Sequence, residues 1–177
     1  MLKRVRRFSA SRGGMAAVEF ALIAPVMILM FFGVIELSEA LNCKARVTRV
    51  ASTAADLVAQ TTAVSATDMT NVFNAANAVL YPFTATPAQI VISSIVDDGH
   101  GGAKVAWSDA QNTTARARGA TVTVPAGLIV SGSGGSVILA EITYVYSSPT
   151  TQALGANTTM TGSFYARPRR SATVSHP

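Results

Sequence analysis

The sequence predicts an α+β protein: a long N-terminal helix, transmembrane first and amphipathic later, then a short helix and a small antiparallel sheet. Three patterns predict it. Sixteen uncharged residues run from Phe20 to Ile35 behind a basic leader, helical spacing of apolar residues continues to about residue 80, and period-two alternation begins after Pro87. With 177 residues the chain is one domain in size, and 49% apolar against 13% charged residues excludes a highly charged disordered chain. One cysteine excludes an intramolecular disulfide framework and a multi-cysteine metal site. His100 and His176, the two histidines, leave little material for a zinc centre or a histidine-based catalytic set.

The net charge of +5 is unevenly placed. Lys3, Arg4, Arg6, Arg7 and Arg12 precede Gly14 with no acid among them, and from Gly14 onward nine basic residues match nine acidic ones. A nucleic-acid domain carries its excess on a folded face; here it sits on a leader, and no nucleic-acid partner is expected. The leader reads as a topogenic signal occupying residues 1–14, before a transmembrane helix over 15–37 and an extracytoplasmic portion over 38–177.

From Met15 to Ile35 are 21 residues, about 31 Å as a helix, which matches a hydrocarbon core of roughly 30 Å. Five basic residues precede the span and Lys44, Arg46 and Arg49 follow it, so the positive-inside rule puts the N-terminus in the cytoplasm. Ser38-Glu39-Ala40 also forms a small-x-small cleavage site, which leaves a secreted domain beginning at Leu41 as an alternative. Glu19 stands inside otherwise apolar sequence. A carboxylate in the hydrocarbon costs about 2.5–3.5 kcal/mol at the centre and less near an end, so Glu19 either has a partner or reaches back to the headgroups.

The run Gly14-Met15-Ala16-Ala17-Val18-Glu19-Phe20 behind a basic leader resembles the type IV prepilin signal. The wider stretch Ala17-Val18-Glu19-Phe20-Ala21-Leu22-Ile23-Ala24-Pro25, continuing to Phe32-Gly33-Val34-Ile35-Glu36-Leu37, resembles the TadE-like proteins of the tight-adherence (Flp) pilus system. Ile142-Thr143-Tyr144-Val145-Tyr146 and Arg167-Pro168-Arg169 are similar to that family as well. The resemblance implies cleavage after Gly14 by a membrane-embedded prepilin peptidase, making Met15 the N-terminus and Glu19 the fifth residue. It implies as partners the inner membrane of a bacterium, the peptidase, the major Flp pilin, a sister pseudopilin and the pilus assembly platform. It also implies a periplasmic C-terminal domain, with association with the pilus at the cell surface as a further place. The chemistry agrees: glycine lets a scissile segment extend, and a neighbouring subunit's Glu19 would neutralise the new α-amine of Met15 and lower the cost of burying each charge. Ala17, Ala21 and Ala24 form a small-residue face suited to close helix packing in lipid, and Pro25 deprives the Ala21 carbonyl of a donor, favouring a kink.

Beyond the span the helix is expected to continue as a spine over 38–62, with Leu37, Leu41, Val47, Ala51, Ala54, Ala55 and Val58 on one face. An α+β head over 63–165 follows. Met69, Val72, Phe73, Ala76, Val79 and Leu80 predict a helix over 67–80, opened by a Ser65/Asp68 capping box and closed by Pro82. Residues 89–96 and 104–107 predict a hairpin around a glycine-rich turn, 121–124 a short strand, 137–146 the strongest strand and 160–165 an edge strand. In 137–146 one face is Ile138, Ala140, Ile142, Tyr144 and Tyr146, the other Glu141 and Thr143. The segment 166–177 reads as a flexible tail.

Catalytic and metal chemistry find little support. Asp97-Asp98-Gly99-His100-Gly101 lacks the alternating ligands and distal glutamate of a calcium loop. The Gly132–Gly135 run lacks the Lys-Ser/Thr of a phosphate loop, and no serine or cysteine has a nucleophile's context. Neither enzyme activity nor a cofactor is expected. Cys43, about two turns outside the span, is either a buried thiol or a bridge to a partner chain. The rival reading from another class is a membrane-tethered periplasmic binding or enzymatic domain with an uncleaved signal anchor.

Overall fold

The computed structural model describes residues 12–129, 132, 134–148 and 157–176; the leader's Lys3, Arg4, Arg6 and Arg7 lie outside them. The architecture is a long helix, a short helix and a four-stranded antiparallel sheet. Helix α1 is Arg12–Ala59 and α2 is Ala66–Val79; the strands are β1, Ala88–Asp97, β2, Ala103–Gln111, β3, Ser136–Tyr146, and β4, Thr158–Ala166. The chain divides into two compact units, Met1–Ala40 and Leu41–Pro177.

The first unit is helical throughout its described residues. Helix α1 begins at Arg12, before the expected Met15, and runs through Pro25 without interruption; no break marks the site where a kink was expected. Met15, Phe20, Leu22, Leu29, Phe31 and Val34 are each more than 60% exposed among the described residues.

The second unit forms around the last part of α1. Cys43, Val47, Val50, Ala51, Ala54, Ala55, Val58 and Ala59 are all fully buried. Leu37 and Leu41 do not join that face: they are 61% and 62% exposed, because the docked stripe begins only at Cys43. The small residues let α1 lie close to the sheet. At Gly162 in β4, an added Cβ would stand 3.2 Å from Thr48 Cα, Val47 O and Ile142 Cγ2.

Helix α2 has the expected capping box: Ser65 Oγ accepts from the Asp68 amide at 3.2 Å and Asp68 Oδ2 accepts from the Ser65 amide at 2.9 Å. Met69, Val72, Phe73 and Ala76 are its buried face, and Leu80 caps its C-terminus while fully buried. Arg46 Nη1 donates to the Val79 carbonyl at 3.3 Å, filling one acceptor that the helix end leaves open.

The strand order is β2-β1-β3-β4. Ala88, Ile90 and Ile92 pair with Tyr144, Ile142 and Ala140, and Ile142 in turn with Gly162, so the residues assigned to one face of β3 do face α1. Strand β2 is longer than predicted and carries a bulge, with Ser94 opposite Trp107 and Ile95 opposite Val105.

Two further expectations need correction, and one face packs where no packing was foreseen. Residues 121–124 are not a strand: Thr121 makes an isolated bridge to Lys104, and Pro125 stops any longer pairing. The face of β3 that carries Glu141 and Thr143 also packs, which the sequence did not announce. Ile95, Ala103 and Leu139 form a small core there under Val122, Val124, Ile129 and Tyr165. The segment after Ala166 is packed rather than flexible. The Arg169 amide donates to the Ala59 carbonyl at 2.9 Å, Ser175 bridges Ala63 in parallel, Trp107 Nε1 donates to the Val174 carbonyl at 2.7 Å, and Val174 is 2% exposed. Backbone groups left open where α1 ends at Ala59 are what this segment satisfies.

Candidate processing and assembly segment

The predicted site residues share one stretch of α1. Gly14, Met15, Ala17, Glu19, Phe20, Ala21, Ala24 and Pro25 are all helical, and all but Ala24, which is half-buried, are exposed. Met15 and Glu19 are four residues apart, one turn of helix, where side chains on one face come within about 5–6 Å at their Cβ atoms. Ala17, Ala21 and Ala24 follow the i, i+4, i+7 pattern down another side, and no other element of the chain's described residues buries them. Phe20 is 68% exposed.

Two consequences follow from helical geometry. A peptidase reads its substrate as an extended chain, yet the Gly14–Met15 peptide bond lies in the first turn of α1. Glycine costs about 1 kcal/mol more than alanine in a helix, so Gly13-Gly14 is the least expensive place to unwind that turn. If the chain is cut there, Met15 carries an ammonium at a helix N-terminus, where the helix dipole disfavours positive charge. Glu19, one turn on, offers the compensating charge either within its own chain or to a neighbour.

The remaining candidates are placed elsewhere. Cys43 is 0% exposed, so of the two readings the buried thiol holds, and a bridge to a partner chain has no accessible sulfur to form it. Asp97 and Asp98 spend their oxygens on backbone amides: Asp97 Oδ1 accepts from Gly99 at 3.1 Å and its Oδ2 from Gly132 at 2.7 Å, and Asp98 Oδ1 accepts from His100 at 2.7 Å and Gly102 at 2.9 Å. These bonds, the one from His100 foremost, hold the Asp98 carboxyl below its ordinary pKa. Among the described residues no group of three or more His, Cys, Asp or Glu side chains is placed to hold a metal.

Interactions that sequence reasoning missed lie on the sheet's second face. Arg116 and Glu141 form a two-pronged ion pair, with Arg116 Nη2 donating to Glu141 Oε1 at 3.0 Å. The hydrogen bond to Glu141 raises the Arg116 pKa further. Ser93 and Ser108 hydroxyls meet at 2.9 Å, and the Arg116 amide donates to Ser108 Oγ at 3.1 Å. Ser93 and Ser94 break the apolar run of β1, a weak signal that a polar cross-strand contact was to be made. Nothing local announces Arg116, which comes from a loop.

Residues 14–56 match the family model described as TadE-like protein. That match spans the whole segment just described and most of the docked stripe, about a quarter of the chain. No curated protein and no solved structure matches the chain. Among the described residues one helix is long and apolar enough to cross a membrane, which fits a single-pass anchor.

Proposed function

We propose that this chain, TadE-like over residues 14–56, acts as a minor pilin or pseudopilin in assembly of the Tad (Flp) pilus and is matured by a prepilin peptidase. The observation that carries this reading is Glu19, a carboxylate one helical turn past Gly14-Met15, on a stretch of helix whose apolar side chains are exposed among the described residues. The exposed stripe gives a membrane, and then neighbouring subunits, something to bury; the paired amine and carboxylate give the neighbours a register. In this reading the role is structural rather than enzymatic. The N-terminus is cytoplasmic, the second unit is periplasmic, and the partners are the peptidase, the major pilin, a sister pseudopilin and the assembly platform of the inner membrane.

The test is the mature N-terminus together with one substitution. Mass analysis of the protein from pilus-forming cells is expected to give a chain beginning at Met15. A chain beginning at Met1 would leave the tethered periplasmic domain, and one beginning at Leu41 the secreted domain. Glu19→Ala is expected to leave cleavage intact and to lower co-purification with the pilins and fibre formation. Wild-type assembly by that variant would remove the role given to Glu19.

A further inference from the structure

We infer that the outer edge of β4 docks an extended acidic segment of another polypeptide, which joins the four-stranded sheet as a fifth strand. The surface lies wholly in the second unit and does not depend on how α1 is processed.

Hydrogen-bond accounting shows which backbone groups the edge offers. In an antiparallel ladder successive residues alternate, one bonding to the neighbouring strand and the next pointing away from it. Side-chain contacts fix the phase in this sheet. The Ala88 carbonyl accepts from Asn112 Nδ2 at 2.8 Å and the Ile92 carbonyl from Ser108 Oγ at 3.2 Å, so both residues turn toward β2. Their β3 partners, Tyr144 and Ala140, therefore turn toward β4, where they meet Met160 and Phe164. That leaves Thr159, Thr161, Ser163 and Tyr165 with amide and carbonyl directed away from the sheet, whose last strand is β4. Lys44 Nζ donates to the Thr161 carbonyl, in agreement with this phase. Among the described residues no other hydrogen bond reaches these outward groups. From Thr159 to Tyr165 the edge runs about 20 Å, room for a partner strand of about seven residues.

Sheet edges are commonly guarded by charges, proline, bulges or a covering element. Strand β4, TTMTGSFYA, has no charge and no proline, and it pairs with β3 in unbroken register. Thr159, Thr161, Ser163 and Phe164 are exposed, and Phe164 gives one side chain of an incoming strand an apolar contact. The guard is Lys44, through its single bond to Thr161.

Charge names the occupant. Lys44 stands on the edge at Thr161, and Arg167 follows the strand's last residue, with Nη2 donating to the Gly127 and Leu128 carbonyls at 2.8 and 3.1 Å. Neither cation meets a carboxylate among the described residues. The unit's six acids are committed elsewhere: Asp56 to Arg169, Glu141 to Arg116, Asp68 to Ser65, Asp97 and Asp98 to backbone amides, and Asp109 stands 3.7 Å from His176. In α1, Glu36 and Glu39 precede Lys44 by eight and five residues, neither of them the spacing that brings helical side chains together. A carboxylate on the incoming strand draws Lys44 Nζ off the Thr161 carbonyl and frees that carbonyl for the strand's amide. The exchange is favourable because a bond between two charged groups is about twice as strong as a neutral one. A second acid, six residues along, meets Arg167. A second copy of the chain, β4 on β4, would add two cations to the edge and no acid.

The experiment uses the full chain in an uncharged detergent and an end-capped, dye-labelled peptide, Glu-Thr-Val-Thr-Val-Thr-Glu, whose acids match the spacing of Thr161 and Arg167. Fluorescence anisotropy is expected to show saturable binding. N-methylation of alternate peptide amides should abolish it, and so should Ser163→Pro, which puts a ring on the edge without removing a bond of the β3–β4 ladder. Replacing both peptide glutamates by lysine should weaken binding about tenfold or more, and the double variant Lys44→Gln, Arg167→Gln should erase that preference. No binding of the acidic peptide at millimolar concentration, equal binding of the lysine peptide, or binding indifferent to N-methylation would each overturn the inference. Sedimentation of the chain without peptide tests the other occupant: a dimer that Ser163→Pro dissolves would give the edge to a second copy and overturn the acidic partner.

Discussion

Ser65 and Asp68 show how much one pair of side chains does for a short helix. Ser65 Oγ and the Asp68 carboxylate each satisfy the other's backbone amide at the start of α2, and Ser65 Oγ also donates to Asp68 Oδ2 at 2.7 Å. The hydroxyl's donation, followed by that of the Ser65 amide, lowers the Asp68 pKa below its ordinary value. A carboxylate with a lowered pKa in the fold stabilises it above the unfolded pKa, and that contribution is lost as the pH falls through the lowered value. Ser65→Ala is expected to cost about 1 kcal/mol at neutral pH through loss of the cap. It should also flatten the decline in stability on acidification below about pH 4, which thermal unfolding across an acid series would measure. A variant whose acid decline matches the wild type would exclude this role. The pair was legible in the sequence because a capping box is a purely local device. The fate of Cys43 was not, since burial of its sulfur depends on strands a hundred residues away.

At the scale of elements, the contact between α1 and β4 fixes the layer spacing. Gly162 admits the backbone of Thr48 and Val47 to a distance that any Cβ would compress. Gly162→Ala is therefore expected to destabilise the second unit by about 1–3 kcal/mol, the usual cost of overpacking, read as a lower denaturant midpoint. Thr161→Ala, next to it, serves as the comparison, since its side chain is exposed. If both variants unfold at the wild-type midpoint, the close approach is unimportant. Periodicity located α1, α2, β1, β3 and β4 to within a few residues. It overreached at 121–124, where alternating Thr and Val suggested a strand that pairs only at its start, with Lys104 and Ala103, and it included Leu37 and Leu41 in a docked face that starts later.

For the whole molecule, the C-terminal segment determines how the second unit closes. It runs from Arg169 on the Ala59 carbonyl to Ser175 beside Ala63, and covers Trp107 on the way. Removing residues 171–177 deletes the burial of Val174 and the hydrogen bond of the Trp107 indole. The expected loss is about 3 kcal/mol, from roughly 1.5–3 for the valine and about 1 for the bond. Equilibrium unfolding of the second unit measures it, and Val174→Asp should reproduce most of the effect by placing a carboxylate in the same position. An undiminished stability in the truncated chain would mean that the segment only decorates the surface.

The amino-acid sequence by itself determined the order of helices and strands, the apolar span with its lone carboxylate, the glycine before Met15 and the cap of α2. Each of these depends on neighbours within a turn or two, so local spacing and charge suffice. Only the tertiary structure decided which side of β3 has a second core, that Arg116 meets Glu141, that Cys43 is enclosed, that the C-terminal segment is held and that the outer edge of β4 is left open. Those outcomes depend on residues brought together from distant parts of the chain, where a side chain's environment is set by what folds against it and not by what precedes it.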